Sequence, residues 1–396
     1  RGINFKVDFT GDLQSAQILT NHGGFFRYKV KNEAFLPGIP KNEDELYFVL
    51  DLNDASNIQY LKDATLSTAA FPIGLKSREI AISGEYIKRY PKYLFGTSKG
   101  IAPLIDEEVN YRFNSIDGGL INNEPFGIGL KILREKNPDV FKNENGNYAV
   151  VMIDPFPNVD NSPTPFEEKR DMLTVAKGMF KALRNQVMFN QDGILDALSL
   201  SDRTKFLVAP SRKIKSQFGE ERAQHPLASS PVSGFAGFLE RSFREHDFRL
   251  GRKNCQAFLR YYFAVEERDA QARLGLQPNN ESKQRFGFFA DMEAKKQPCF
   301  PIIPDIKVLK ASEGVFDHKN YPEEADLAQL PYPSFSMDVF EKKYKKPLLK
   351  RMRGLVNGLS GKWYINAGFR LLFEKKAYKT IKEALESEMK DAGLGG

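Results

Sequence analysis

Short stretches rich in aromatic and β-branched residues alternate with helix-compatible stretches from Gly2 to about Val151, and this alternation constrains the fold most. Gly2 to Phe9, Phe25 to Val30, Leu46 to Leu52, Tyr111 to Ile116 and Tyr148 to Ile153 read as strands. Ala64 to Ala70 and Gly127 to Glu135 read as helices, the first stopped by Pro72. Strands interleaved with helices pack as layers, so the expected class is α/β.

Beyond Pro165 the pattern turns helical. Thr164-Pro165-Phe166-Glu167 resembles a capping box, and Met172, Val175, Ala176, Met179, Phe180, Leu183 and Val187 follow at helical spacing. That stripe reads as core. Thr204 to Ala209 adds a strand, and a second helical block runs from Gly234 to Phe263 with Phe235, Phe238, Leu239 and Phe243 on one side. Seven of the 22 prolines fall between Pro278 and Pro333, which predicts loop there. Tyr378 to Lys390 reads as the last helix, with Gly393 as its stop. The expected organisation is an α/β domain over 1–155, a helical extension over 156–270, and a loop-rich segment with C-terminal helices over 271–396.

Composition narrows the class further. With 41% hydrophobic and 28% charged residues, the 396-residue chain has the make-up of a folded globular protein. Two cysteines, Cys255 and Cys299, cannot build a disulfide framework, and Cys255 reads as a small buried hydrophobe. No apolar run approaches the roughly 18 residues of a membrane span. The expectation is a soluble protein, cytoplasmic or peripherally attached to a membrane. Residue 1 is Arg, and the strand pattern is already under way at Gly2. From this we expect the native start to lie upstream.

Charge is gathered rather than spread. The 58 Lys and Arg exceed the 51 Asp and Glu by seven, and the tract from Lys342 to Arg353 alone holds seven bases and no acid. Such a tract is either a solvated helix face flanking Pro347 or an attachment point for an anionic membrane surface. Only Tyr344 lies inside it as a stacking partner, so nucleic acid is not an expected partner.

The sharpest chemical feature is Ser115-Ile116-Asp117-Gly118-Gly119, followed by Asn122-Asn123-Glu124-Pro125. An acid where an apolar strand runs into two glycines sits at a sheet edge, where α/β sites gather. The glycines permit positive φ and close approach of another backbone or a substrate. The carboxylate has two readings: a base that takes a proton from a nucleophilic hydroxyl, or the head of an Asx turn closing its own loop.

These residues resemble the Asp-Gly-Gly/Ala motif of patatin-like phospholipases. Ala64-Thr65-Leu66-Ser67-Thr68-Ala69-Ala70-Phe71-Pro72 is similar to the small-residue helix that precedes the motif in that family. Gly234-Phe235, Gly237-Phe238-Leu239 and the run from Phe243 to Arg252 resemble the extension of large patatin-related proteins. The resemblance spans about residues 1 to 265. It implies a three-layer α/β/α sheet, incomplete at the N-terminus, with a largely helical C-terminal extension. It also implies a lipid acyl hydrolase with a Ser–Asp dyad, in which Asp117 is the base and Gly118 and Gly119 form its turn. Such a dyad needs neither metal nor organic cofactor, and its partner is a lipid or ester substrate. The family's serine elbow and glycine-rich loop would precede Arg1.

Gly96-Thr97-Ser98-Lys99-Gly100 matches Gly-x-Ser-x-Gly literally, but both flanks read as solvated loop where an elbow needs a strand and then a helix. An esterase built on Ser98 is therefore the weaker reading. Four scattered histidines, at 22, 225, 246 and 318, give no metal-ligand spacing. His246-Asp247 reads as a packed or capping pair in preference to a catalytic one. The alternative to a hydrolase is a non-catalytic module that binds anionic lipid through Lys342 to Arg353.

Overall fold

In the computed structural model the described residues are 2–8, 16–30, 48–70, 75–105, 110–121, 126–138, 148–155, 205–216, 219–232, 234–277, 279–280, 283, 286–292, 295–304, 331–359, 362–368 and 373–395. The chain forms two compact units, Arg1–Glu124 with Arg170–Asn190, and Pro125–Lys169 with Gln191–Gly396.

In the first unit, β1 (Ile3–Val7) is the middle strand of an antiparallel sheet between β2 (Gln17–Asn21) and β6 (Ile101–Pro103). Ile3, Phe5 and Val7 alternate with more exposed neighbours, so one face of the strand is core. β3 (Tyr28–Val30) pairs parallel with β4 (Phe48–Leu50), and β5 (Arg78–Ser83) pairs antiparallel with β7 (Asn110–Ser115), Arg78 opposite Ser115. Helix α1 (Ala55–Thr68) starts at Asp54, whose side chain accepts the Ser56 N–H at 2.8 Å. It begins well before the expected Ala64. Two short helices, α2 (Gly84–Lys88) and α3 (Tyr90–Phe95), follow β5. Phe5, Ile82, Tyr86, Ile87 and Tyr90 form the centre of the core. Tyr86 stacks on Phe48 with ring centroids 4.3 Å apart, and Tyr90 on Phe25 at 4.9 Å. Their hydroxyls are satisfied: the Arg27 N–H donates to Tyr86, and Tyr90 donates to the Phe25 carbonyl.

The second unit contains α4 (Phe126–Lys136), the parallel pair β8 (Val150–Ile153) and β9 (Lys205–Val208), and the hairpin β10 (Lys213–Ser216) and β11 (Gly219–Arg222). A 3₁₀ turn, Phe235–Phe238, precedes α5 (Arg241–Ala257), which passes into a π-helical turn at Phe258–Tyr262. β12 (Ala264–Glu266), α6 (Glu267–Leu274), β13 (Phe288–Met292) and β14 (Lys295–Pro301) come next, with strand order β12-β14-β13. Helices α7 (Met337–Leu359), α8 (Trp363–Gly368) and α9 (Glu374–Asp391) complete the unit. Its largest core joins Ala236 and Phe243 to Phe335, Phe340, Leu385, Met389 and Leu394.

The protein is thus mixed α/β, with its described strands in several small sheets. Four expectations change. The Gly234–Phe263 block is not one helix, because Glu240 is extended (φ −132°, ψ 138°) and separates the 3₁₀ turn from α5. Phe238 is consequently 75% exposed while Phe243 is fully buried. Cys255 is exposed, on the outer face of α5, and Cys299 is buried in β14. The proline-rich stretch contains the strands β13 and β14. The stripe from Met172 to Val187 lies outside the described residues. Gly393 does end the last helix, at φ +75°.

Candidate functional site

Asp117 stands two residues past the end of β7. Its backbone N–H donates to the Ala70 carbonyl at 3.0 Å, tying the strand exit to the segment that leaves α1. Its Oδ1 accepts the Gly119 N–H at 2.8 Å, which closes an Asx turn and caps a short 3₁₀ turn over Gly118–Leu120. Its Oδ2 has no hydrogen-bond partner among the described residues. The turn therefore fixes the carboxylate through one oxygen, and the other is an acceptor that no described residue engages.

Of the two properties expected of the glycines, neither uses positive φ. Gly118 is required for close approach instead, since a Cβ there would lie 2.9 Å from Thr68 Oγ1. Ile116 and Ile121, both about half exposed, flank the turn with apolar surface. Gly23 approaches the same place, its ideal Cβ position being 3.5 Å from Ile121 Cγ2. Sequence reasoning passed over Ser67 within the small-residue helix. It is 3% exposed, and its Oγ has no hydrogen-bond partner among the described residues. A buried, unsatisfied hydroxyl is rare, but no periodicity or motif signals one. Phe71, Pro72 and Asn122 to Pro125 lie outside the described residues.

Ser98 sits in an exposed turn between α3 and β6. The expected loop flanks are in fact a helix before it, with Tyr90 and Pro91 buried, and a strand after it. This is the reverse of the strand–Ser–helix order of an elbow. Gly96 (φ +76°) ends the helix, and Gly100 (φ +72°) accepts the Asp8 N–H through its carbonyl.

His246 and Asp247 belong to a different constellation. Asp247 accepts the N–H groups of Ala228 and Ser229 at 2.8 and 2.9 Å, and His246 Nδ1 lies 2.9 Å from its Oδ1. Burial opposes the Asp247 charge, but hydrogen bonds from His246, Ser229 and Ala228 outweigh it and hold the carboxyl below its ordinary range. The His246 ring stands edge-on to Tyr332, over which the Arg212 guanidinium stacks at 3.7 Å. The pair ties the turn at 228–230 to α5. Among the described residues no three His, Cys, Asp or Glu side chains come together to hold a metal ion.

The basic tract lies on α7, and the helix continues through Pro347. Arg353 is engaged with Glu374 through two hydrogen bonds, and Lys343 and Lys345 lie over the rings of Tyr344 and Tyr378. Lys342, Lys346 and Lys350 are exposed with no ion-pair partner among the described residues.

No protein-family model matches the chain, and no solved structure matches it. A stretch of 222 residues is 33% identical to the uncharacterized protein y4iI of Sinorhizobium fredii (strain NBRC 101917 / NGR234). That match takes in 52% of this chain and 31% of the relative, so the chain spans about a third of the length of the curated protein it resembles. No helix of the described residues is long and apolar enough to cross a membrane.

Proposed function

We propose that the chain carries the base half of a patatin-like lipid acyl hydrolase, with Asp117 as the general base of a Ser–Asp dyad. The observation that supports it is the Asp117 carboxylate at a strand exit, anchored through Oδ1 to the Gly119 N–H while Oδ2 has no partner among the described residues. On this reading the strands belong to a layered α/β/α hydrolase domain, and a serine expected upstream of Arg1 supplies the nucleophile. Oδ2 takes the serine proton as the oxygen attacks the ester carbonyl, and returns it to the departing alcohol. Water then loses a proton to the same carboxylate as its oxygen bonds to the acyl carbon; the acyl–serine bond breaks, the carboxylate returns the proton to the serine oxygen, and the fatty acid leaves. Ile116 and Ile121 offer apolar surface beside the base, suited to an acyl chain.

Asp117→Asn separates the two roles of this residue. An asparagine oxygen still accepts the Gly119 N–H, so the Asx turn survives, but an amide cannot serve as base. In the protein expressed from its complete reading frame, the variant is expected to keep its thermal midpoint and to lose at least about 10²-fold in fatty-acid release from phospholipid. Undiminished turnover in a folded Asp117→Asn protein removes the proposal.

A further inference from the structure

Helices α7 and α9 run antiparallel. Arg353 of α7 meets Glu374 at the start of α9, with Nε–Oε2 2.9 Å and Nη2–Oε1 2.5 Å. Further along, Lys345 lies 5.2 Å from the Tyr378 ring centroid, and Glu341 accepts from the Tyr378 hydroxyl at 3.0 Å and meets Lys382 at 3.3 Å. One end of this helical pair is rooted in the core through Phe340, Leu385 and Met389. The other end, where α7 closes, α8 packs on it and α9 begins, is built of different material. Trp363 is 78% exposed, Tyr364 52% and Phe373 57%. Lys350 of α7, and Lys375 and Lys376 just after Phe373, are exposed and have no ion-pair partner among the described residues. From Lys342 to Phe373 the sequence holds nine Lys and Arg and not one Asp or Glu.

Large aromatic side chains lose by standing in water, and these three stay more than half exposed although Trp363 and Tyr364 meet edge to face at 6.2 Å and Lys362 Nζ lies 5.8 Å from the Tyr364 ring centroid. Amphipathic aromatic rings beside lysines match a bilayer interface, where the rings enter the head-group region and the ammonium groups meet phosphates. We propose that this end of the α7–α9 pair is a membrane-docking tip for an anionic bilayer, with Trp363, Tyr364 and Phe373 entering the interface and Lys350, Lys375 and Lys376 pairing with lipid phosphates. The attachment point is thereby narrower than the Lys342–Arg353 tract and displaced from it. Lys343 and Lys345 are committed to tyrosine rings and Arg353 to Glu374. A polynucleotide would match the charge, but it offers no apolar phase for Phe373.

Trp363 is the only tryptophan in the sequence, so the emission of the 396-residue chain reports on the tip. Phosphatidylcholine vesicles containing phosphatidylserine are expected to shift that emission to the blue, and brominated acyl chains to quench it. Pure phosphatidylcholine is expected to do neither, and added salt to weaken the response. Replacing Lys350, Lys375 and Lys376 together by Gln is expected to weaken vesicle binding about tenfold or more, with the circular dichroism spectrum unchanged. Phe373→Ser with Tyr364→Ser is expected to diminish the blue shift. The proposal is overturned if the protein co-sediments with anionic vesicles while Trp363 emission stays unchanged, or if the lysine variant binds as well as the parent. It is equally overturned if a single-stranded oligonucleotide, and not the vesicles, shifts the emission. None of these readouts requires ester turnover, so the result stands apart from the role of Asp117.

Discussion

At Gly118 a single methyl group tests how tightly the candidate base is held. The backbone there is free of positive-φ strain, so any cost of a side chain comes from Thr68, whose Oγ1 would lie 2.9 Å from the new Cβ while its own Cβ stays at 3.9 Å. Gly118→Ala is therefore expected to destabilise by about 1 kcal/mol, and Thr68→Ala in the same chain to recover most of it, because the offending atom is gone. Thermal midpoints of the two single variants and the double variant check this, and additive losses would place the strain elsewhere. The residue types at this site were legible in the sequence, and so was the Asx turn. What was not legible was which of the two glycine properties the turn uses. Positive φ and close approach leave the same letter in the chain, and only the packing of Thr68 on Gly118 distinguishes them. Ser67 shows the same limit, since nothing in the residues around it in sequence marks it as buried.

Among the elements, strands dense in aromatic and β-branched residues were read to within a few residues: β4, β8 and β9 fall inside their expected stretches, and β7 starts and ends one residue before its own. Helix α1 was half missed because it presents no apolar stripe; Ser67 is its only fully buried residue, and its start is fixed by the Asp54 cap instead. The β13–β14 pair was missed because proline argued against a strand. Pro298 faces Phe289 of β13, and Pro301 faces Ala264 of β12. At each of these positions β14 pairs with one described strand only, the edge setting in which a strand accepts proline. Proline inside a helix is a sterner case. Pro347 removes the hydrogen bond to the Lys343 carbonyl and crowds it, yet α7 continues through to Leu359. Pro347→Ala should restore that bond, offset in part by the greater freedom of the unfolded chain, for a net gain of about 1–2 kcal/mol. Denaturant midpoints measure this directly. A lower midpoint in the variant would mean that the two halves of α7 depend on the proline to reach their separate packing partners.

Across the whole molecule, the two units respond to pH from opposite ends. The core of the first unit is built on tyrosines. Burial raises the Tyr28 phenol to about 12 and pushes Tyr86 and Tyr90 higher still, with neighbouring tyrosines adding to the effect. In the unfolded chain a phenol ionises near 10, so stability is whole below that pH. Above it the unfolded state loses protons first, and stability falls with rising pH until the folded values are reached. The second unit carries the reverse case. Burial works against the Asp247 carboxylate, but the hydrogen bonds from His246, Ser229 and Ala228 prevail and lower its folded value beneath the ordinary carboxyl range. Its contribution is complete above the unfolded value near 3.8 and is lost as pH falls through the lower folded one. Stability measured by denaturant unfolding across pH should therefore fall on both flanks. Tyr86→Phe is expected to flatten the alkaline flank, although it gives up the bond from the Arg27 N–H. Asp247→Asn is expected to flatten the acid flank at a cost in stability at neutral pH, since an amide serves the Ala228 and Ser229 N–H groups less well than a carboxylate. An acid flank as steep in Asp247→Asn as in the parent would show that the tie between α5 and the 228–230 turn does not draw on the Asp247 charge.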